Sequence, residues 1–264
     1  HADGRPAVHD LTSAVYRLLD VLRSRHPGLE IESCSSGGGR VDLGILERTD
    51  RIWASDTNDP VERESVQRWT GLLVPPELVG AHVGPGIAHT TGRATDLTLR
   101  GITALFGHAG IECDLTALSP YERDQLRGWA VLYRELRPLL HSGDVVRADL
   151  PDPGALLHGV ASATRDELLL AYVRLATSPE STPGRVLLPA VDRDRRYVLR
   201  VRCEAGAPWL LEARPPSWWD QALGEGFPAD GQALAAVGLP FPVVGVGSGF
   251  LLHLTEAHLP EARG

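Results

Sequence analysis

The chain has 264 residues, 43% hydrophobic and 23% charged, a balance that supports a sizeable core and excludes a disordered, collagenous or coiled-coil chain. Net charge is −8, every basic residue is an arginine, and acids are interspersed among them. There is therefore no basic stripe to neutralise nucleic-acid phosphates and no polybasic patch for a membrane surface. No run of about 18 apolar residues exists to span a bilayer, since Gly238, Pro240, Pro242 and Gly245 interrupt the longest apolar tract.

The first element is a helix. Leu11, Val15, Leu18, Leu19 and Leu22 repeat at the spacing of one buried face, Asp10 is placed to cap its start, and His26-Pro27-Gly28 stops it. Residues 29–34 alternate as a short strand, followed by the loop Ser35-Ser36-Gly37-Gly38-Gly39. A second strand covers 51–55. Asp59 then caps a helix to about Thr70, with Pro60 at its first position and Glu62 and Glu64 favouring its positive end. Residues 78–83 read as a strand, 95–106 as a helix and 110–113 as a strand. Ser119 and Glu122 form a capping box for a helix presenting Leu126, Trp129, Tyr133, Leu136 and Leu140.

The rhythm of strand, loop and helix gives about four units of a parallel α/β sheet over residues 1–150. After the Pro/Gly cluster at 149–154 it changes. Runs at 167–175, 196–203 and 249–254 are strand-like and separated by Pro and Gly, which predicts an antiparallel β-sandwich over residues 151–264. A closed (β/α)8 barrel needs eight units. Four units, no methionine and a start at His1 lead us to expect a fragment, with half of such a barrel upstream.

Ligands of parallel α/β folds sit at the carboxyl ends of strands, and two loops are unusual there. In the first, Cys34 and Ser35 lead into three glycines, then Arg40 and Asp42; glycines permit positive φ and a close approach of backbone to a ligand. The second, Ser55-Asp56-Thr57-Asn58-Asp59, sets a carboxylate at a strand end, where it could act as a general acid. Each also has a plain reading: a tight turn, a pairing of Arg40 with Asp42, a helix cap at Asp59, a buried Cys34. His82 and His89 lack metal-ligand spacing, His108 and Glu112 read as a satisfied pair, and Trp218-Trp219 could stack on a sugar or pack inside. A phosphate cradle at 35–39 and a non-catalytic carbohydrate-binding or remnant module stay open as alternatives. Cys34, Cys113 and Cys203 are odd in number and contain no Cys-x-x-Cys, which argues against a disulfide framework. With a polar N-terminus this fits a cytoplasmic location.

Together, segment 32–40 (Glu-Ser-Cys-Ser-Ser-Gly-Gly-Gly-Arg) and segment 53–59 (Trp-Ala-Ser-Asp-Thr-Asn-Asp) resemble glycoside hydrolase family 36, the bacterial-type α-galactosidases. Segments 79–83, 89–93 (His-Thr-Thr-Gly-Arg) and 105–112 extend the resemblance in order. It implies strands five to eight of a (β/α)8 barrel followed by a C-terminal antiparallel domain. It also implies a retaining enzyme for terminal α-galactosyl residues of the melibiose and raffinose type, with no cofactor or metal. Its partner would be a small α-galactoside, and its members are often oligomers. On this resemblance Asp56 is the general acid/base, and Cys34, Ser36, Gly37 and Arg40 contact the sugar. The family's nucleophile sits in a Lys-Trp-Asp motif that the first half of this chain lacks; Trp219-Asp220 lies far downstream. Cys113 and Val41 stand where the family commonly has aromatics. Retaining hydrolysis needs two carboxyl groups about 5–5.5 Å apart, so the chain alone is expected to be inactive.

Overall fold

The computed structural model describes residues 4–257. After α1 (Val8–Arg25) the chain alternates through β1 (Glu32–Ser33), α2 (Leu43–Leu46), β2 (Arg51–Trp53), α3 (Pro60–Thr70), β3 (Val79–Val83), α4 (Leu97–Leu105), β4 (His108–Ile111) and α5 (Pro120–Leu140). The four strands form one parallel sheet in the order β1-β2-β3-β4. Ser33 registers on Ile52, Trp53 on Gly80 and Val83 on Ile111. The sheet is open among the described residues, with β1 and β4 each paired on one side only.

Local chemistry explains most helix starts. The Asp59 carboxylate accepts the Val61 amide at 2.9 Å, with Pro60 in the first turn of α3. Ser119 and Glu122 exchange reciprocal bonds of 3.2 and 2.9 Å at the head of α5. The start of α1 differs from expectation: Ala7 precedes it, and Asp10 lies inside its first turn. Its apolar face differs too. No residue of α1 is buried, and Leu11 and Leu18 are 63% and 57% exposed. Tyr16 and Leu19 pack on a small cluster of Ile45, Ile52, Val74 and Val79. Polar bonds complete the docking: the Tyr16 hydroxyl donates to Asp42 at 2.6 Å, and Arg48 pairs with Asp20 at 3.0 Å. The Tyr16 bond raises the tyrosine and holds Asp42 below the usual carboxylate range.

The second sheet is antiparallel and larger. It comprises β5 (Asp144–Ala148), β6 (Ala155–Ala161), β7 (Glu167–Arg174), β9 (Arg196–Arg202), β10 (Phe227–Asp230) and β12 (Ser248–Glu256), in the order β10-β9-β12-β7-β6-β5. The Pro/Gly cluster at 149–154 joins β5 to β6 inside this sheet, so the sheet begins ahead of the 150/151 border drawn from sequence. Gly and Pro punctuate a hairpin as readily as a linker. The cluster is pinned by Arg174, which is buried and pairs with Asp152.

Alternation along β7 gives each face its own core. Leu168, Leu170 and Tyr172 face Trp218 and Trp219 of α6 (Trp218–Leu223), Leu234 of α7 (Gly231–Ala236), and Val186 and Leu239. The last two belong to a short ribbon of β8 (Arg185–Val186) and β11 (Leu239–Pro240). Leu169, Ala171 and Val173 face α4 and α5. Where a sandwich was expected, a single large sheet lies between helices of the parallel part and a layer of short elements. Trp218 and Trp219 are 3% and 2% exposed, and the Trp218 indole donates to the Pro240 carbonyl at 2.8 Å. They are core residues rather than a sugar platform.

Candidate active site

Two loops meet at the carboxyl ends of β1 and β2. Segment 34–40 turns back on itself: the Ser35 amide donates to the Gly37 carbonyl and the Gly39 amide to the Ser35 carbonyl, each at 3.1 Å. Ser36 and Gly37 hold the turn at φ 47° and 68°. A Cβ on Gly37 would lie 2.7 Å from Ser55 Cα and 2.8 Å from the Asp56 amide nitrogen, and one on Gly38 would lie 2.6 Å from the Ala54 carbonyl oxygen. The glycines thus let this loop press directly onto the backbone that carries Asp56.

The contact places Cys34 beside Asp56. Both side chains are exposed, and the thiol donates to Asp56 Oδ1 at 3.7 Å. The expectation of a buried Cys34 does not hold. Gly37 belongs to the same junction. Ser36 is exposed on the outer turn and makes no hydrogen bond among the described residues. The Arg40 carbonyl accepts from Ser33 Oγ at 3.4 Å; its guanidinium makes no hydrogen bond among the described residues, although its charge helps to lower the Asp42 pKa. Asp42, a possible partner of Arg40, instead caps α2 through the Ile45 amide at 2.8 Å and accepts from Tyr16. The structure brings Cys34, Gly37 and Asp56 into one junction, with Ser36 and Arg40 at its margins.

Several residues around Asp56 do more than sequence reasoning assigned to them. Asp59 is fully buried; besides capping α3 it accepts Thr91 Oγ1 at 2.6 Å and faces Arg93 Nε at 3.3 Å. Thr57 bonds Thr90 at 3.0 Å. The segment 89–93 is thereby strapped across the Asp56 loop; it was legible as a motif but carried no role. Glu112 pairs with His82 Nδ1 at 3.4 Å rather than with His108. His82 stacks on Trp53 with centroids 4.4 Å apart, and the guanidinium of Arg63, on α3, lies 4.3 Å from the Trp53 ring centroid. Burial pushes Arg63 down to about 10, and the charges of Glu112 and Glu32 oppose that shift. Arg63 was missed because it sits in a Glu-Arg-Glu run that reads as a solvated helix face. Glu64 of the same run is buried and accepts Thr103 Oγ1 at 2.7 Å instead of serving the helix dipole.

The other thiols are unsuited to nucleophilic work: burial pushes Cys203 up to about 11 and raises Cys113. A cavity of about 60 Å³, lined by Glu64, Gln67, Phe106 and His158 among others, lies by Val79 and Gly107 at the amino ends of β3 and β4. It is at the opposite end of the parallel sheet from Asp56.

Comparison with known proteins gives this geometry its context. The Melibiase family profile matches residues 1–143. The chain belongs to the GH36 α-galactosidase family. It is 40% identical to an Escherichia coli α-galactosidase over 260 residues, covering 97% of this chain and 36% of that protein. It is 34% identical to the Geobacillus stearothermophilus α-galactosidase AgaA over 194 residues, covering 73% of this chain and 27% of AgaA. A raffinose-bound crystal structure of an AgaA variant superimposes with a TM-score of 0.77 at 28% identity, covering 92% of this chain and 31% of that one. The α-galactosidase of Lactobacillus brevis gives a TM-score of 0.78 at 26% identity, covering 95% and 32%. The chain therefore spans about a third of the length of these GH36 relatives.

Proposed function

We propose that this chain is the acid/base-bearing part of a retaining α-galactosidase that acts on terminal α-galactosyl residues of raffinose- and melibiose-type sugars. Asp56 protonates the glycosidic oxygen as the sugar leaves, then takes the proton from the water that releases galactose. Cys34 and Gly37, with Ser36 and Arg40 at the margin, line the sugar's side of the junction. The nucleophilic carboxylate comes from polypeptide outside these 264 residues, so the chain by itself does not hydrolyse α-galactosides.

The observation that carries this proposal is the placement of the Asp56 carboxylate. It stands exposed at the carboxyl end of a parallel strand, against a thiol and a glycine turn, with no ion pair among the described residues. The split of the two carboxylates is supported by the greater length of the relatives and by the open sheet. All-parallel sheets are found with both faces covered, whereas α1 here turns Leu11 and Leu18 to solvent.

The test joins the chain in frame to the preceding part of the Escherichia coli relative and measures raffinose hydrolysis, with NMR to read the anomer released. The joined protein is expected to hydrolyse raffinose with retention, and the 264-residue chain alone to be inactive. Asp56→Asn should lower turnover of raffinose by about 10²–10⁴-fold. An Asp56→Asn protein as active as its parent removes the acid/base assignment. Hydrolysis by the chain alone removes the split.

A further inference from the structure

We infer that Arg63 is a positioning residue for Asp56, holding the acid/base in place by clamping the peptide bond that precedes it. The inference rests on the assignment of Asp56 above. Arg63 projects from α3 back to the carboxyl ends of two strands. Its Nη1 donates to the Ser55 carbonyl at 2.9 Å and its Nη2 to the Gly80 carbonyl at 2.7 Å. The Ser55 carbonyl belongs to the same peptide plane as the Asp56 amide, so one guanidinium fixes that plane against β3. The side chain is 3% exposed and forms no ion pair among the described residues.

Burying a guanidinium without a paired carboxylate is costly. The site compensates with two carbonyl dipoles and the face of Trp53, itself backed by His82, and with the more distant charges of Glu112 and Glu32. A planar fork presents a separate nitrogen to each carbonyl in fixed geometry, whereas an ammonium offers one nitrogen on a flexible stem. On its other side the Asp56 loop rests on Gly37, where a Cβ would meet Ser55 Cα at 2.7 Å. The backbone at Ser55–Asp56 is thus held between a glycine turn and a guanidinium, while the Asp56 carboxylate stays exposed beside the Cys34 thiol. Arg100 provides an internal comparison. It is equally buried and donates to the Gly84 carbonyl at 2.8 Å and the Asp96 carbonyl at 3.1 Å, so it bonds no peptide group adjoining Asp56.

The experiment uses the joined, active protein with two substrates. Raffinose has a poor leaving group that must be protonated; 2,4-dinitrophenyl α-galactoside has a leaving group that departs without an acid. Misplacing a catalytic group by about 1 Å costs about 100-fold. Arg63→Met should therefore lower kcat/KM about 100-fold on raffinose and less than about threefold on the dinitrophenyl substrate. Arg63→Lys, which keeps the charge and loses the fork, should show a smaller loss with the same leaving-group dependence. Arg100→Lys should show no such dependence. Equal losses on both substrates, or no loss, overturn the inference and leave a structural role. Asp56→Asn is run in parallel. If it lacks the leaving-group dependence, the acid/base assignment fails; if it shows the dependence and Arg63→Lys does not, only the clamp fails.

Hydrogen exchange of the 264-residue chain gives a readout independent of activity. In Arg63→Lys the Asp56 and Thr57 amides should exchange about tenfold faster, with the middle of α3 unchanged. Unchanged exchange at both amides overturns the inference.

Discussion

The two sheets bury themselves in different ways. β1 and β2 are two and three residues long, and the cluster beneath them contains four buried residues. β7 and β12 are eight and nine residues long and covered on both faces. The candidate site lies on the thinner sheet. What supports that sheet is shared: α4 and α5 belong to the parallel part by chain order, yet their apolar faces pack on β6, β7 and β12. The difference teaches that the part offering loops for chemistry draws its rigidity from a neighbour that offers none.

The strongest way to break this comparison is to open the larger core. Trp218→Ala removes a fully packed indole and a hydrogen bond to Pro240. It should cost about 3–5 kcal/mol in urea unfolding. If the shared core unites the two parts, the whole chain loses structure in one transition. Two separated transitions would show the parallel part standing on its own.

A sharper cut goes through the link itself. Glu64 on α3 accepts Thr103 Oγ1 of α4 at 2.7 Å and faces His158 Nε2 of β6 at 3.0 Å, off the hydrogen-bond direction. Glu64→Gln keeps the shape and removes the charge. The expected cost is about 1–3 kcal/mol by urea unfolding. No change would mean that this contact adds nothing to the apolar packing and the Glu135–Arg202 pair that also join the parts.

Proton linkage sharpens the comparison from the other side. His253 on β12 is buried between Glu167 on β7, at 2.8 Å from Nε2, and Arg202 on β9, at 3.0 Å from Nδ1. Glu135 of α5 and Glu204 hold Arg202 in turn. Burial lowers the His253 pKa, against the pull of its bond to Glu167, and the Arg202 charge adds to the lowering. A base with a depressed folded pKa binds fewer protons folded than unfolded. Its contribution is complete above the unfolded value of about 6.5 and is lost as pH falls through the folded value. Stability should therefore decline below about pH 6.5, and His253→Gln should flatten that slope while leaving the slope at higher pH unchanged.

The starts of α3 and α5 and the strand–helix alternation were legible because they depend on neighbours in sequence. Asp59 with Pro60, and Ser119 with Glu122, are local chemistry. The junction of Cys34, Gly37 and Asp56 was legible as two motifs at strand ends, and family resemblance named the chemistry. What sequence hid depends on distance in the chain. The Trp pair looks the same whether it faces solvent or Leu170. Arg63 looks like any surface arginine until Ser55 and Gly80 are brought to it, and the Pro/Gly cluster at 149–154 reads equally as a linker or a hairpin. The face of α1 was legible as apolar, but apolar spacing says only that a face can be buried.

That face supplies the smallest expected effect and the closest check on the thinner part. Leu18 is 57% exposed, and Leu and Gln have nearly equal helix propensity, so Leu18→Gln changes little besides apolar area. In the 264-residue chain it should shift unfolding by no more than about 0.5 kcal/mol. In the protein joined to the preceding part of the relative, the same substitution should cost more, toward the about 1.5–3 kcal/mol of a fully buried leucine, if added polypeptide covers α1. Equal small shifts in both proteins would show that α1 keeps its outer face to solvent and is held by Tyr16, Arg48 and their carboxylate partners. A large shift in the chain alone would show α1 already packed, and with it a parallel sheet less dependent on its neighbour than the shared core implies.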